Sequence, residues 1–231
     1  MDSLANPAAS SEECARFCGS MIGDFYMKPE EIEELSFKII DDEAGRHNFP
    51  PDQWSVVRRM IHTSADFEYM KSVCFHKHAI ARGLEAIKNG KNIITDTNMG
   101  KAGIRKSDIS CFKVTVKCFI TDPKVCRIAS KTGTTKAKAA VDAAIPDMED
   151  GIYVIGNAPT ALLRLIELVK EKKAKPALII GLPVGFVNAA ESKANLIEMG
   201  YPYISNIGRK GGSNIAASVV NALAKLALLN N

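Results

Sequence analysis

Nothing in this 231-residue chain approaches the ~20 consecutive apolar residues that a bilayer-spanning helix needs. No block of consecutive lysines and arginines forms a phosphate-tracking stripe, and the net charge of +4 is too mild to suggest a nucleic-acid partner. The opening segment MDSLANPAASSEECARF lacks the basic start and apolar centre of a secretory leader, so a cytoplasmic protein is expected, with residues 1–11 as a loose arm. The six cysteines are scattered without the spacing of a disulfide framework, which fits a reducing compartment. Cys14 and Cys18 have no second Cys/His pair to complete a metal site and read as packing residues. His76 and His78, two apart, would point to different sides of a helix; a metal site there would need an extended segment and is not expected. There is no G-x-G-x-x-G after an early strand, and SKTGTTKAK lacks the G-x-x-x-x-G-K-[ST] spacing of a phosphate loop; Lys136 there reads equally as a solvated residue at a helix cap. No recognised signature surrounds Cys74, which is read as a buried structural thiol.

What is present is ordinary globular composition, nearly half hydrophobic and a quarter charged, in a chain long enough to bury a core. PEEIEELSFKIIDDEAG starts with Pro29, has acids in its first turn and stops at Gly45, which predicts a helix. PPDQWSVVRRMIH carries Trp54, Val57 and Ile61 at three- and four-residue spacing, predicting a second amphipathic helix with His62 in its last turn. KHAIARGLEAIKNG reads as a third helix, KNIITD as a short buried strand, and the alternating CFKVTVKCFITD as a strand with one wetter face. From Gly151 onward three strand–loop–helix units follow in series: IYVIGN, PALIIGLP and YPYISNIG, each leading into a helical run. With no Pro/Gly/Ser linker to cut the chain, the expectation is one α/β domain over residues 1–231. It has a mainly parallel β-sheet flanked by helices.

Ligands of open parallel sheets bind outside the carboxyl ends of the strands. Here those loops are Gly156–Thr160, Gly181–Lys193 and Gly208–Ser213, each starting with glycine and each running into a helix N-terminus that favours anions. Glycine alone could simply turn the chain at any one of them. Three such loops, carrying Asn157, Asn188, Glu191, Lys193, Arg209 and Lys210, point to a polar ligand site.

MIHTSADFEY, GNAPTALLRLIE, GLPVGFVNAAESK and GRKGGS, in that order, resemble the precorrin-8X methylmutases of corrin-ring biosynthesis from about Ile32 to the C-terminus. HTSADFEY is closer to the cobalt-precorrin-8 branch than to the metal-free one. The resemblance implies an isomerase of cobalamin biosynthesis that moves a methyl group from C-11 to C-12 of the macrocycle to give cobyrinate. It implies a homodimer and no cofactor, any cobalt being carried by the substrate. In the family the histidine matching His62 is the catalytic group, and Ser36 and Arg59 match positions associated with substrate. Lys136 stands where the family usually has arginine, whose planar fork grips a carboxylate through two bonds, whereas lysine is a point charge. The substrate-binding candidates are therefore Ser36, Arg59, Asp96, Lys136, Asn157, Lys193 and Arg209, with no metal ligands. A single histidine at a helix end is, taken alone, more often structural; a proton-handling role would suit its pKa near 6.5. Arg59, one turn before His62, is expected on a similar face. A corrinoid carrier without catalysis is the alternative, and it would not need His62. A nucleotide-dependent methyltransferase would require an acidic nucleoside-binding residue after an early glycine-rich strand, and none is found.

Overall fold

The computed structural model describes residues 28–230. The chain divides into two compact units, Met1–Ile39 and Ile40–Asn231. Of the first, the described part is the start of the Pro29–Ala44 helix, with Glu30 and Glu31 in the first turn, where unpaired N–H groups favour negative charge. Cys14 and Cys18 lie outside the described residues.

The second unit holds the sheet: β1 (Val73–Phe75), β2 (Ile93–Thr95), β3 (Val116–Cys118), β4 (Ile152–Ile155), β5 (Leu178–Gly181) and β6 (Tyr203–Asn206). Its spatial order is β1-β6-β5-β4-β2-β3. All neighbours are parallel except the β1–β6 pair, an antiparallel edge. From β2 the chain first steps outward to β3. It then returns to the other side of β2 and proceeds through β4, β5 and β6. The direction of winding therefore reverses between β2 and β4, which opens a crevice at their carboxyl ends.

The central strands β2, β4, β5 and β6 are buried throughout, as a sheet covered on both faces requires. Alternate residues serve alternate faces. Ile93, Ile152, Val154, Leu178, Ile180 and Ile204 join one core with the helices Pro51–Ser64, Ala79–Lys88 and Ser213–Leu229. Ile94, Tyr153, Ile155 and Ile179 join the other with Lys136–Ala143, Pro159–Lys170 and Ala189–Glu198. Each fully buried aliphatic side chain contributes ~1.5–3 kcal/mol. The Ser213–Leu229 helix is apolar nearly all round because it lies between the sheet and the Pro51–Ser64 helix. No helix among the described residues is long and apolar enough to cross a membrane.

The mainly parallel sheet flanked by helices agrees with the sequence reading, and so do the three C-terminal strand–helix units. CFKVTVKCFITD does not form one long strand. Ser110–Phe112 is a 3-10 turn, Lys113 adopts a left-handed conformation (φ 59°), and only Val116–Cys118 pairs. Its neighbour among the described residues, β2, offers three residues, and alternation cannot extend a strand beyond the partner that bonds it. The helix Pro123–Thr132 was not anticipated, and Lys136–Ala143 bears out the helix-cap reading of Lys136; Asp122 and Thr135 cap them by accepting the N–H groups of Lys124 and Lys138.

Candidate active site

The loops that leave β4, β5 and β6 are bonded to one another. The Leu182 N–H donates to Ile155 O (2.8 Å) and the Val184 N–H to Gly156 O (3.3 Å). The Gly212 N–H donates to Leu182 O (2.9 Å) and the Gly185 N–H to Arg209 O (3.2 Å). Glycine is needed at two of these crossings for close approach rather than for an unusual φ. A Cβ on Gly156 would sit 2.5 Å from Ser213 Cα, and one on Gly211 would collide with Leu182 O.

Asp96 closes the crevice between β2 and β4. Its carboxylate accepts the N–H groups of Gly156 (3.1 Å), Asn157 (2.8 Å) and Ala158 (2.9 Å). Burial pushes its pKa up, and the three donors only partly counter that. Asp96, a substrate-binding candidate from the sequence, is 4 % exposed, and both its oxygens are engaged by the loop they hold. Beside it, the Thr97 and Ser213 hydroxyls are 2.8 Å apart and join the β2 loop to the start of the Ser213–Leu229 helix.

Lys193, another substrate-binding candidate from the sequence, is enclosed as well. It is 0 % exposed, and its ammonium donates to Asn206 Oδ1 (3.0 Å) and Lys210 O (2.7 Å). Burial lowers its pKa to about 8. It braces the loop after β6 from within. Packing of the Ala189–Glu198 helix against β6 draws it inward, which the polar look of ESK conceals.

His62 is exposed in the last turn of the Pro51–Ser64 helix, which ends at a left-handed Ala65 (φ 52°) whose N–H donates to Ile61 O. Arg59, one turn earlier on the same helix, is 7 % exposed. Just past the helix, Asp66 and Glu68 both pair with Lys210; the Glu68 contact is 2.7 Å. The loop after β6 is thereby tied to the segment that follows His62. Lys210 is engaged here and is not an idle cation for substrate.

Asn157 and Arg209 are exposed on the loops. Lys136 is exposed in the first turn of its helix, and the neighbouring Thr135 hydroxyl lies 3.3 Å from that of Thr160, which brings this helix start to the β4 loop. Ser36 belongs to the Met1–Ile39 unit, where its hydroxyl donates to Ile32 O within its own helix (2.7 Å). The loops also project apolar groups: Phe186 is 87 % and Val187 76 % exposed, with the Arg209 guanidinium 5.6 Å from the Phe186 ring centroid. Apolar side chains this open, set among cations and backbone donors, suit a ligand with a flat apolar face and an anionic rim.

Elsewhere, the His76 Nδ1 accepts the His78 N–H, and among the described residues no cluster of three or more His, Cys, Asp or Glu could hold a metal. Cys74 is half-buried on β1, and burial raises its pKa, as for a structural thiol.

Fold and site together define a doubly wound α/β protein with an anion-ready ligand platform at its switch point. A sequence model described as precorrin-8X methylmutase matches residues 31–226, and the chain belongs to that family. A cobalt-precorrin-8 methylmutase of Priestia megaterium is 46% identical over 201 residues, covering 87% of this chain and 89% of that protein. One from Salmonella typhimurium is 40% identical, covering 86% and 96%. The crystal structure of a Thermus thermophilus precorrin-8x methyl mutase superposes with a TM-score of 0.82 at 42% identity, over 87% of this chain and 97% of that one.

Proposed function

We propose that His62 lends a proton to, and recovers it from, a corrin-type macrocycle lying against the loops after β4, β5 and β6. The activity is that of a cobalt-precorrin-8 methylmutase, an intramolecular isomerase of cobalamin biosynthesis. It moves one methyl group from C-11 to C-12 of the ring to give cobyrinate. In the 1,5-sigmatropic shift the C-11–methyl bond breaks as the C-12–methyl bond forms. No electrons leave the substrate, so no cofactor is invoked, and any cobalt arrives with the ring. A group that gives and takes back one proton near neutrality is best supplied by histidine. Arg209, Lys136, the Asn157 side chain and the N-terminus of the Pro159–Lys170 helix face the carboxylate rim, while Phe186 and Val187 meet the apolar face.

The observation that carries this reading is the interlocked loop set at the β2/β4 switch point, tied by Lys210 to the segment that follows His62. A cytoplasmic homodimer belongs to the same proposal, since one loop set offers a broad macrocycle a platform and not an enclosure. The test is His62→Ala, incubated with cobalt-precorrin-8 and followed by absorption. Turnover is lost while folding and macrocycle binding persist, because an exposed helix-end residue contributes little to the core. Full turnover in the variant removes His62 from the mechanism, and collapse of the fold assigns it a structural role.

A further inference from the structure

The Lys210 ammonium bridges two carboxylates of another segment. It reaches Asp66 and Glu68, which lie four and six residues past His62, across the left-handed turn at Ala65. Its backbone is held as well: Lys210 O accepts from the buried Lys193 ammonium at 2.7 Å and from Asn206 Nδ2 at 3.0 Å. Asn206 is the last residue of β6 and is fully buried. A continuous chain of contacts therefore runs from the carboxyl end of β6, through Lys193 and the Lys210 carbonyl, out along the Lys210 side chain to the turn that ends the His62 helix. The Asp66 carboxylate receives a second bond, from the Glu68 N–H at 2.9 Å, which fixes it as an acceptor aimed at Lys210.

We propose that Lys210 is a positioning residue for the methyl shift: a latch that holds the end of the His62 helix in register with the loop carrying Arg209, and not a substrate contact. This rests on the reading of His62 as the proton-handling group. An exposed ion pair adds little to global stability, so its effect lies in geometry. Displacement of a reacting group by about 1 Å is enough to cost about a hundredfold in rate.

Two roles for Lys210 predict opposite kinetics. A latch acts through His62, so Lys210→Ala lowers kcat by about ten- to a hundredfold and leaves macrocycle affinity within about twofold. A substrate contact would raise the dissociation constant and spare single-turnover chemistry. Lys210→Arg, which still reaches both carboxylates, restores most of kcat. Breaking the other half of the latch with Asp66→Asn and Glu68→Gln, which preserve shape, lowers kcat to the same extent. Adding Lys210→Ala to that pair lowers it no further, because residues acting as one unit are not additive. Near-ultraviolet circular dichroism and urea midpoints of all variants match the parent. Should Lys210→Ala fail to fold, the Asp66→Asn/Glu68→Gln pair carries the test alone. The latch is overturned if Lys210→Ala or the amide pair keeps parental kcat, if the two losses multiply, or if affinity falls instead of kcat. His62→Ala, assayed alongside, separates failures: parental activity there defeats the His62 reading, while an inactive His62→Ala beside a fully active Lys210→Ala defeats the latch only.

Discussion

Lys193 offers a quantitative test of how the loops are held. Its ammonium is out of contact with water, and burial lowers its pKa from 10.5 to about 8. Below about pH 8 the folded and unfolded chains both hold this proton, so the contribution does not vary. Between there and 10.5 the unfolded chain binds more protons than the folded one, and stability rises with pH. At ~1.4 kcal/mol per pKa unit the whole window is worth ~3 kcal/mol, of which ~2 kcal/mol is gained between about pH 7 and pH 9.5. Lys193→Met keeps the volume and removes the titrating group, so it cancels this part of the pH dependence and leaves that of every other residue. Urea unfolding of parent and variant at both pH values measures the difference. The parent gains ~2 kcal/mol more than the variant on going to the higher pH. The variant also leaves Asn206 Oδ1 without its Lys193 donor, a cost of ~1–3 kcal/mol that is set against the burial penalty removed with the ammonium. Parallel pH profiles for the two proteins refute the reasoning, because they would mean that the ammonium is as well solvated when folded as when unfolded.

If Lys136 meets a substrate carboxylate, Lys136→Ala weakens macrocycle binding about tenfold and Lys136→Arg restores or improves it through a two-pronged contact, with the effect shrinking as salt rises. Titrations at two salt concentrations check this, and equal affinities for parent and Ala variant at both remove Lys136 from the site. Sedimentation at working concentration finds a homodimer; a monomer with full activity contradicts the proposal that a second copy encloses the substrate.

Much of this protein was legible in its sequence because the deciding physics is local. Pro51 at a helix start, the three- and four-residue spacing of Trp54, Val57 and Ile61, and the end of that pattern near His62 place the histidine in a last turn without reference to any other segment. The three strand–loop–helix units are likewise readable from short apolar runs closed by glycine, and their order alone says that the loops gather at one end of a parallel sheet. Strand order lies outside local physics, since hydrogen-bond partners are chosen between segments far apart in the chain. Only the folded structure puts β2 beside β4, and so brings the Asp96 carboxylate to the N–H groups of Gly156, Asn157 and Ala158. Burial is decided in the same way. Lys193 and Arg209 look alike as loop cations in sequence, yet packing of the Ala189–Glu198 helix on β6 encloses one and leaves the other open to a ligand. Charge can be read from the residue, but whether it faces water, a protein carbonyl or a substrate depends on what the fold places around it.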